Sequence, residues 1–450
     1  MDCMADGFES DEKVSAQKVR YGLSFHEIRE WIESWRPDVV GVTCLFSTQF
    51  DNALNVCRQV KEFDLGCKTV IGGHHATAMA KEVLQEPEID YVLAGEAEKT
   101  ILPLLQAVGR AEIPAKVSGA GFKQNGQLLI NSSRGNEEDL DALPFPSWEL
   151  FPLEKYFTIN RAHGGMKESP FFPVLTSRGC PFDCSFCGSH VVGGKKYRYR
   201  SAQNVIDEIK YLKDRFGARE IFFEDDNLTL NKNRAMDIFG KMVDEKLDIR
   251  WSPPNGLYIN SLDDEMLELM KESGCHSISL AVESADPYVQ KEIIRKQCDL
   301  KKVNSLLKRA KEIGLSASVF LIVGFPGEEW SRIKRTLKYA IKLKCDSVNI
   351  FFATPLPGSD LLETCRKKGL IDDSSSFDIE DGLCFSHDMV SNKKIQKAVY
   401  LTRFIIKFKL LFINPIEFIR KSMQKIFNDP EYFVKQTKKL LSSLGLARKT

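Results

Sequence analysis

Arg178-Gly179-Cys180-Pro181-Phe182-Asp183-Cys184-Ser185-Phe186-Cys187 places three thiols within one short loop, in a C-x3-C-x2-C spacing, just after the apolar run Val174–Ser177. Thiolates bind soft iron strongly, and a cubane cluster has four irons. Three cysteines therefore leave one iron open to a ligand from outside the protein. A structural zinc site takes a fourth Cys or His, and His190 is close enough in sequence to be that ligand. The position of the loop, at the end of a strand that opens a β/α series, favours the cluster.

Downstream of the loop a β/α rhythm runs for six cycles. Strands are expected near Val174–Ser177, Glu220–Glu224, Ile249–Ser252, Ser277–Val282, Ser316–Ile322 and Ser347–Phe352, with helices such as Val205–Phe216, Asp263–Ser273 and Ser331–Leu343 between them. Six repeats suggest an incomplete eight-stranded α/β barrel, a partial (β/α)6 form of the TIM type, whose site lies at the carboxyl ends of the strands. Turn motifs stand at those ends: Phe223-Glu224-Asp225-Asp226-Asn227, Leu280-Ala281-Val282-Glu283-Ser284, Leu321-Ile322-Val323-Gly324-Phe325-Pro326-Gly327-Glu328 and Phe352-Ala353-Thr354-Pro355-Leu356-Pro357-Gly358. Alone, each reads as a turn or a satisfied core carboxylate. Their order behind the cysteines aims them at one face.

The cysteine loop, with Phe186 just before its last cysteine, resembles the signature of the radical S-adenosylmethionine (SAM) superfamily, and the match extends from about Pro173 to Leu370. The resemblance implies a [4Fe–4S] cluster on Cys180, Cys184 and Cys187, with SAM chelating the open iron. It implies that Asp225 or Asp226 holds the SAM amino group, although the usual Gly-Gly-Glu is absent, that Glu283 contacts the ribose, and that Gly324 and Pro326 lie beside the adenine. The basic run Lys195-Lys196-Tyr197-Arg198-Tyr199-Arg200 is expected to be the solvated approach to the next helix, with one arginine reaching SAM or substrate.

Ahead of the barrel, residues up to about Val108 alternate helix and strand. The helix Ser24–Trp35 leads into the strand Val39–Cys44; a helix from about Phe50 to Phe63 and the strands Thr69–Ile71 and Tyr91–Ala94 follow. Each strand runs apolar into a loop of small residues, as buried parallel strands do at the ligand-binding edge of an open sheet. A Rossmann-like, flavodoxin-type sheet in this place resembles the cobalamin (B12)-binding subgroup of the same superfamily, which includes many methyltransferases. The resemblance puts Ser47, Thr48, Gln49, Gly72, Gly73, His74, Gly95 and Glu96 against cobalamin. No Asp-x-His-x-x-Gly occurs, so histidine ligation of cobalt by that motif is not implied. The chain begins where the subgroup's second strand would be ending, with Asp2-Cys3-Met4 as its expected remnant; either the true start lies upstream of Met1, or another segment replaces the central first strand, or cobalamin binding is compromised, and without that strand an edge of the strand at Val39 is expected to be exposed.

The boundaries read from the sequence are 1–112 for the B12-type sheet, 113–168 for a connector with little periodicity, 169–372 for the barrel and 373–450 for a basic helical region. Between Ser391 and Thr450 there are 14 Lys/Arg against 3 Asp/Glu, interleaved with apolar runs. A helical cap is the expected reading, with a membrane-surface or polyanion site as the sharper ones.

Composition fits an enzyme of this kind. In 450 residues the apolar fraction is 43%, the charged fraction 28% and the net charge +1, which gives no global attraction to nucleic acid. The 12 cysteines lack the spacing of a secreted disulfide scaffold, no signal peptide is visible, and no run reaches the roughly 18 apolar residues of a membrane span. A cytoplasmic location follows, with peripheral membrane contact through the carboxyl-terminal helices as the sharper alternative.

The resemblance implies reductive SAM cleavage to a 5′-deoxyadenosyl radical, fed by a donor such as flavodoxin or ferredoxin. It further implies cobalamin-dependent methylation of an unactivated carbon in a small-molecule or lipid-type substrate. A radical SAM oxidoreductase or cyclase is the second reading. A tRNA methylthiotransferase, needing a second cluster on Cys44, Cys57 and Cys67, is the third.

Overall fold

Ser24 starts the first long helix, Phe25–Trp35, by a reciprocal cap: its hydroxyl accepts from the Glu27 amide, and the Glu27 carboxylate accepts from the Ser24 amide. The helix buries Ile28 and Ile32 against Val60 and Cys67. These contacts belong to a computed structural model of the chain, which describes residues 1–13, 19–132, 136–159, 162–296, 298–371 and 382–413. The chain divides into two compact units, Met1–Phe182 with Cys187–Asn255 and Leu356–Ser359, and Asp183–Phe186 with Gly256–Pro355 and the chain from Asp360.

In the first unit, β1 (Val39–Thr43), β2 (Lys68–Gly72) and β3 (Tyr91–Leu93) run parallel in that order, joined through the helix Phe50–Phe63 and shorter helices. Cys44, Leu54, Cys57, Ile71, Val83 and Val92 form the core on one side of this sheet. Two further strands, β4 (Ala120–Gln124) and β5 (Gln127–Ile130), add to it antiparallel. They fall inside the stretch expected as a connector with little periodicity, and the reason is local. Asn125 and Gly126 both take positive φ, 50° and 76°, the geometry of a two-residue hairpin turn whose twist matches its strands.

Among the described residues β1 is an edge strand and only half-buried, the exposed edge expected at Val39. Cys3–Asp6, however, is a helical turn capped by Asp2 and not the remnant of a strand. It packs on the helix Leu153–Ile159, where Lys155 pairs with Asp6 at 2.8 Å.

The same unit holds a second sheet. β6 (Phe171–Val174) is followed by a short ribbon of β7 (Ser177–Arg178) against β8 (Arg198–Tyr199), then by β9 (Glu220–Phe223) and β10 (Arg250–Ser252); β6, β9 and β10 are parallel in the order β10-β9-β6. The first strand ends three residues earlier than expected, because Thr176 and Ser177 turn to bind Asp225. Helices Ala202–Phe216 and Lys232–Asp244 cover the sheet, with Phe172, Phe222, Phe223, Phe239 and Trp251 fully buried.

In the second unit β11 (Ser277–Glu283), β12 (Ser316–Val323) and β13 (Ser347–Phe352) are parallel neighbours, with helices Leu300–Glu312 and Trp330–Lys342 between them. Helix Asn392–Ile413 packs on Trp330–Lys342 through a face that buries Ile395, Val399 and Ile406; Leu401, Phe404, Ile405 and Phe408 on another face are exposed. The rest of the expected basic region, residues 414–450, lies outside the described residues, as do residues 372–381 at its start. No helix among the described residues is long and apolar enough to cross a membrane.

Candidate functional site

Gly179 fixes how the cysteine loop leaves β7. Its φ is +81°, and a Cβ there would stand 2.3 Å from the Lys196 carbonyl oxygen and 2.8 Å from that of Gly193. This close approach lets the Cys180 amide donate to the Gly194 carbonyl at 3.2 Å. Cys180, Cys184 and Cys187 are partly exposed free thiols. Burial pushes the Cys180 thiol up, while donation from the Phe182 amide and the Asn227 side chain pulls it down. The Ser189 amide donates to the Cys187 sulfur at 3.4 Å. In the second unit the Ser185 amide donates to the Ile294 carbonyl at 3.2 Å, and Phe186 packs on Phe325 with ring centroids 6.1 Å apart.

Three accessible thiols in one loop, two of them already receiving N–H donors, are the donor set that a thiolate-held cluster needs. Among the described residues no three His, Cys, Asp or Glu side chains converge in the geometry of a metal site, the three loop thiols included. Cys44, Cys57 and Cys67, the candidates for a second cluster, are buried core residues, the first two in one cluster of apolar side chains and the third in another. Burial pushes Cys44 up to about 11 and Cys57 to about 12, the values of packing thiols.

The acidic pair after β9 divides its roles. Asp225 is buried and accepts from the Thr176 amide at 3.2 Å, the Thr176 hydroxyl at 2.7 Å and the Ser177 hydroxyl; burial raises its carboxyl against these bonds. Its oxygens are committed to the strand that leads into the cysteines. Asp226 is exposed; desolvation by its surroundings raises it, and His74 of the loop after β2 opposes that shift. Asp226 is therefore the carboxylate open to a ligand.

The basic run is solvated at Lys195, Lys196 and Tyr199 as expected, but not at its arginines. Arg198 and Arg200 are buried, the first bound to Glu96, the second to Glu208, to Asn204 at 2.6 Å and to the Leu175 carbonyl at 3.1 Å. Neither pairing was legible from a run of alternating Lys, Arg and Tyr, because both carboxylates come from other elements.

The loops expected to meet cobalamin gather at the carboxyl edge of the first sheet. Ser47–Gln49 is a turn of 3-10 helix, and Ser47 shares a 2.9 Å hydrogen bond with Nδ1 of His75. His75 is buried against Phe50, and burial lowers it, so it is held neutral. His74 and Thr48, Gln49, Leu45 and Phe46 are exposed. Apolar Leu45 and Phe46 left uncovered beside polar rim groups and the Gly72-Gly73 backbone fit a large, flat, mixed-polarity ligand. Gly95 donates its amide to the Thr77 hydroxyl at 3.0 Å. Glu96 does not fit the expected role of a cobalamin contact: it is buried, with both carboxylate oxygens bound to arginines.

In the second unit Glu283 ends β11 at a bulge and holds φ +66°, a left-handed conformation that costs a residue other than glycine about 1–3 kcal/mol. Lys296, not singled out in the sequence, holds its carboxylate at 2.8 Å. The Gly324-Phe325-Pro326-Gly327 turn is closed from inside by Glu328, whose carboxylate accepts from the Gly324 and Phe325 amides at 2.7 and 3.1 Å.

Glu328 is fully buried, and burial raises it from 4.5 to about 7. A raised folded-state value favours the protonated form, so this contribution to stability is complete below 4.5 and is lost as pH rises through about 7. A loss of about 3 kcal/mol between pH 4.5 and 8 is expected from this group. Glu328→Gln should flatten that part of the pH profile of the urea midpoint; an unchanged profile would remove Glu328 as its source.

A β/α protein with three thiols in one loop and a first sheet whose glycine loops gather at its carboxyl edge points to a class of enzyme, and comparison with known proteins gives the family. The Radical SAM superfamily model matches residues 174–340, and the B12 binding domain model matches residues 5–105. The chain is 36% identical over 350 residues to an uncharacterized methyltransferase of Pyrococcus horikoshii, covering 78% of this chain and 74% of that protein. It is 32% identical over 411 residues to the cytidylyl-2-hydroxyethylphosphonate methyltransferase of Streptomyces wedmorensis, covering 84% and 76%.

The solved structure of the cobalamin-dependent SAM radical enzyme OxsB with aqua-cobalamin bound superposes with a TM-score of 0.67 at 14% identity, covering 94% of this chain and 67% of that one, which shows the fold. The protein belongs to the B12-binding branch of the radical SAM superfamily. Its fold is the Rossmann-like sheet followed by the radical SAM barrel, and the family's cofactors are a [4Fe–4S] cluster, SAM and cobalamin.

Proposed function

We propose that this protein is a cobalamin-dependent radical SAM methyltransferase that methylates an unactivated carbon of a small organic substrate. The observation that carries the reading is the approach of the two cofactor loops within one compact unit: the helical turn His74–Ala78, at the carboxyl edge of the B12-type sheet, packs on His190–Gly193, which follows the cysteine loop. A methyl donor held by the first sheet and SAM held at the cysteine loop would thus serve the same space.

Bound together, the cluster, SAM and cobalamin supply radical generation and methyl donation. The chain's own residues do the positioning. Cys180, Cys184 and Cys187 hold the cluster; Asp226 accepts from the SAM amino group; Asp225 fixes the strand end that carries the loop; Lys296 orients Glu283 toward the ribose; and Gly324 to Pro326, braced by Glu328, border the adenine. The exposed rim of Ser47 to Gln49, Gly72 to His74 and the uncovered Leu45 and Phe46 take the macrocycle. The electron for cleavage comes from a protein donor of the flavodoxin or ferredoxin kind. Twelve free thiols are in keeping with a reducing, cytoplasmic compartment.

The test is anaerobic reconstitution of the whole chain with iron, sulfide and hydroxocobalamin, followed by EPR spectroscopy with and without SAM. Cobalamin should bind stoichiometrically, SAM should shift the reduced-cluster signal, and, once a strong chemical reductant has taken the bound cobalamin to cob(I)alamin, methyl-labelled SAM should label it. A chain that loads the cluster but takes up no cobalamin ends the methyltransferase reading. If it still forms 5′-deoxyadenosine from SAM, it is an oxidoreductase or cyclase.

A further inference from the structure

Glu96 stands at the end of the third strand of the B12-type sheet, 6% exposed, and both of its carboxylate oxygens are engaged. Arg198 grips it with both terminal nitrogens of its guanidinium, one at 3.0 Å, and Arg178 reaches it at 3.1 Å while also pairing with Glu98 at 2.7 Å. The two arginines are the cross-strand partners of the β7/β8 ribbon. Arg178 lies two residues before Cys180. Arg198 donates to the Gly193 carbonyl at 2.9 Å, one residue from the carbonyl that receives the Cys180 amide.

On its other side Glu96 follows Gly95, whose amide binds Thr77, and Thr77 in turn donates its hydroxyl to the Gly73 carbonyl at 2.8 Å. A path of polar contacts and peptide links therefore runs from the Gly73-His74 loop, through Thr77, Gly95, Glu96, Arg198 and Gly193-Gly194, to the backbone of Cys180, all within the first compact unit.

We infer that Glu96 is a positioning residue that fixes the distance between cobalamin and the iron–sulfur cluster. The inference rests on the methyltransferase reading above, since it needs both cofactors. A buried ion pair is weak evidence for stability, because desolvation of the charges offsets their attraction. What a bidentate arginine–carboxylate pair adds is geometry: a planar fork that admits one relative placement of the two elements it joins. The radical formed beside the cluster and the methyl donor on the other sheet must meet one substrate carbon, and misplacement of reacting groups by about 1 Å can cost about 100-fold in rate. Glu96 ties together the two loops whose separation matters, and it has no free oxygen left with which to touch a cofactor itself.

The experiment compares wild type, Glu96→Gln and the double variant Glu96→Gln/Arg198→Met. The double variant removes the pair without leaving a guanidinium buried and unpaired, so it guards against simple misfolding of the single one. Each full-length chain is reconstituted with cluster and hydroxocobalamin and reduced so that cob(II)alamin and the reduced cluster are both paramagnetic. Iron, sulfide and cobalamin are counted, and the magnetic interaction between the two centres is read from the broadening of the cob(II)alamin EPR signal. In wild type a single well-defined interaction is expected. In both variants the two centres should load as in wild type, with that interaction lost or spread over a range of separations, whereas the single variant Arg198→Lys, which keeps the charge without the fork, should retain it in part.

A wild-type interaction in the loaded double variant overturns the inference. So does a fall in bound cobalamin with the interaction of the bound fraction unchanged, which would make Glu96 a cofactor-binding residue. Failure of wild type itself to take up cobalamin would instead bring down the functional reading, and this inference with it.

Discussion

Cys184→Ala is expected to abolish reductive SAM cleavage, with iron and sulfide content falling to the level of the unreconstituted chain. The thiols act as a unit: each holds one iron of the cube, and removal of any one leaves two irons without a protein ligand. Residues that act as a unit lose nearly the whole effect when one is removed, so a drop of at least about 10³-fold in 5′-deoxyadenosine formation is expected, with no partial activity. Cys365→Ala is the control. Cys365 is fully buried and burial raises its thiol to about 12, so its loss should lower stability by about 1–2 kcal/mol, as for a small core truncation, and leave iron content unchanged. Equal loss of iron in the two variants, measured by elemental analysis on refolded protein, would show that the cluster does not reside on the 180–187 loop.

The cysteine loop and most of the β/α order were legible because both are local. Thiol spacing is written in eight consecutive positions, and a buried parallel strand announces itself by an apolar run ending in small residues. Helix Phe50–Phe63 and β13 therefore lie where the sequence puts them. The hairpin β4/β5 was also local, carried by Asn125-Gly126 between two short apolar stretches, but its strands are too brief to stand out from an irregular region.

What local pattern could not reveal is pairing at long range. Arg198 sits in a stretch that looks solvent-bound until Glu96, 102 positions earlier, arrives beside it, and Lys296 looks like a surface lysine until Glu283 turns into the left-handed region to meet it. Both surprises are charges neutralised from another element. A pattern of apolar periodicity has no way to record them.

The choice between two adjacent carboxylates carries the other large effect. Asp225→Ala is expected to destabilise the first unit by about 4 kcal/mol, because it strands the Thr176 amide, the Thr176 hydroxyl and the Ser177 hydroxyl in a buried place, and each unsatisfied buried donor costs about 1–3 kcal/mol. Arg234, also buried, would lose the nearby negative charge that offsets its own desolvation. Because Thr176 and Ser177 lead directly into Arg178-Gly179-Cys180, cluster loading should fall along with stability. Asp226→Ala removes an exposed side chain, so its effect on unfolding stability should stay within about 0.5 kcal/mol. If Asp226 takes the SAM amino group, that variant should instead load a normal cluster whose EPR signal no longer responds to SAM. The two aspartates thus separate by readout as well as by size: unfolding and iron content for Asp225, the SAM-induced spectral shift for Asp226. Reversed outcomes would assign the ligand-facing role to the buried carboxylate, and the turn after β9 would then have to open when SAM binds.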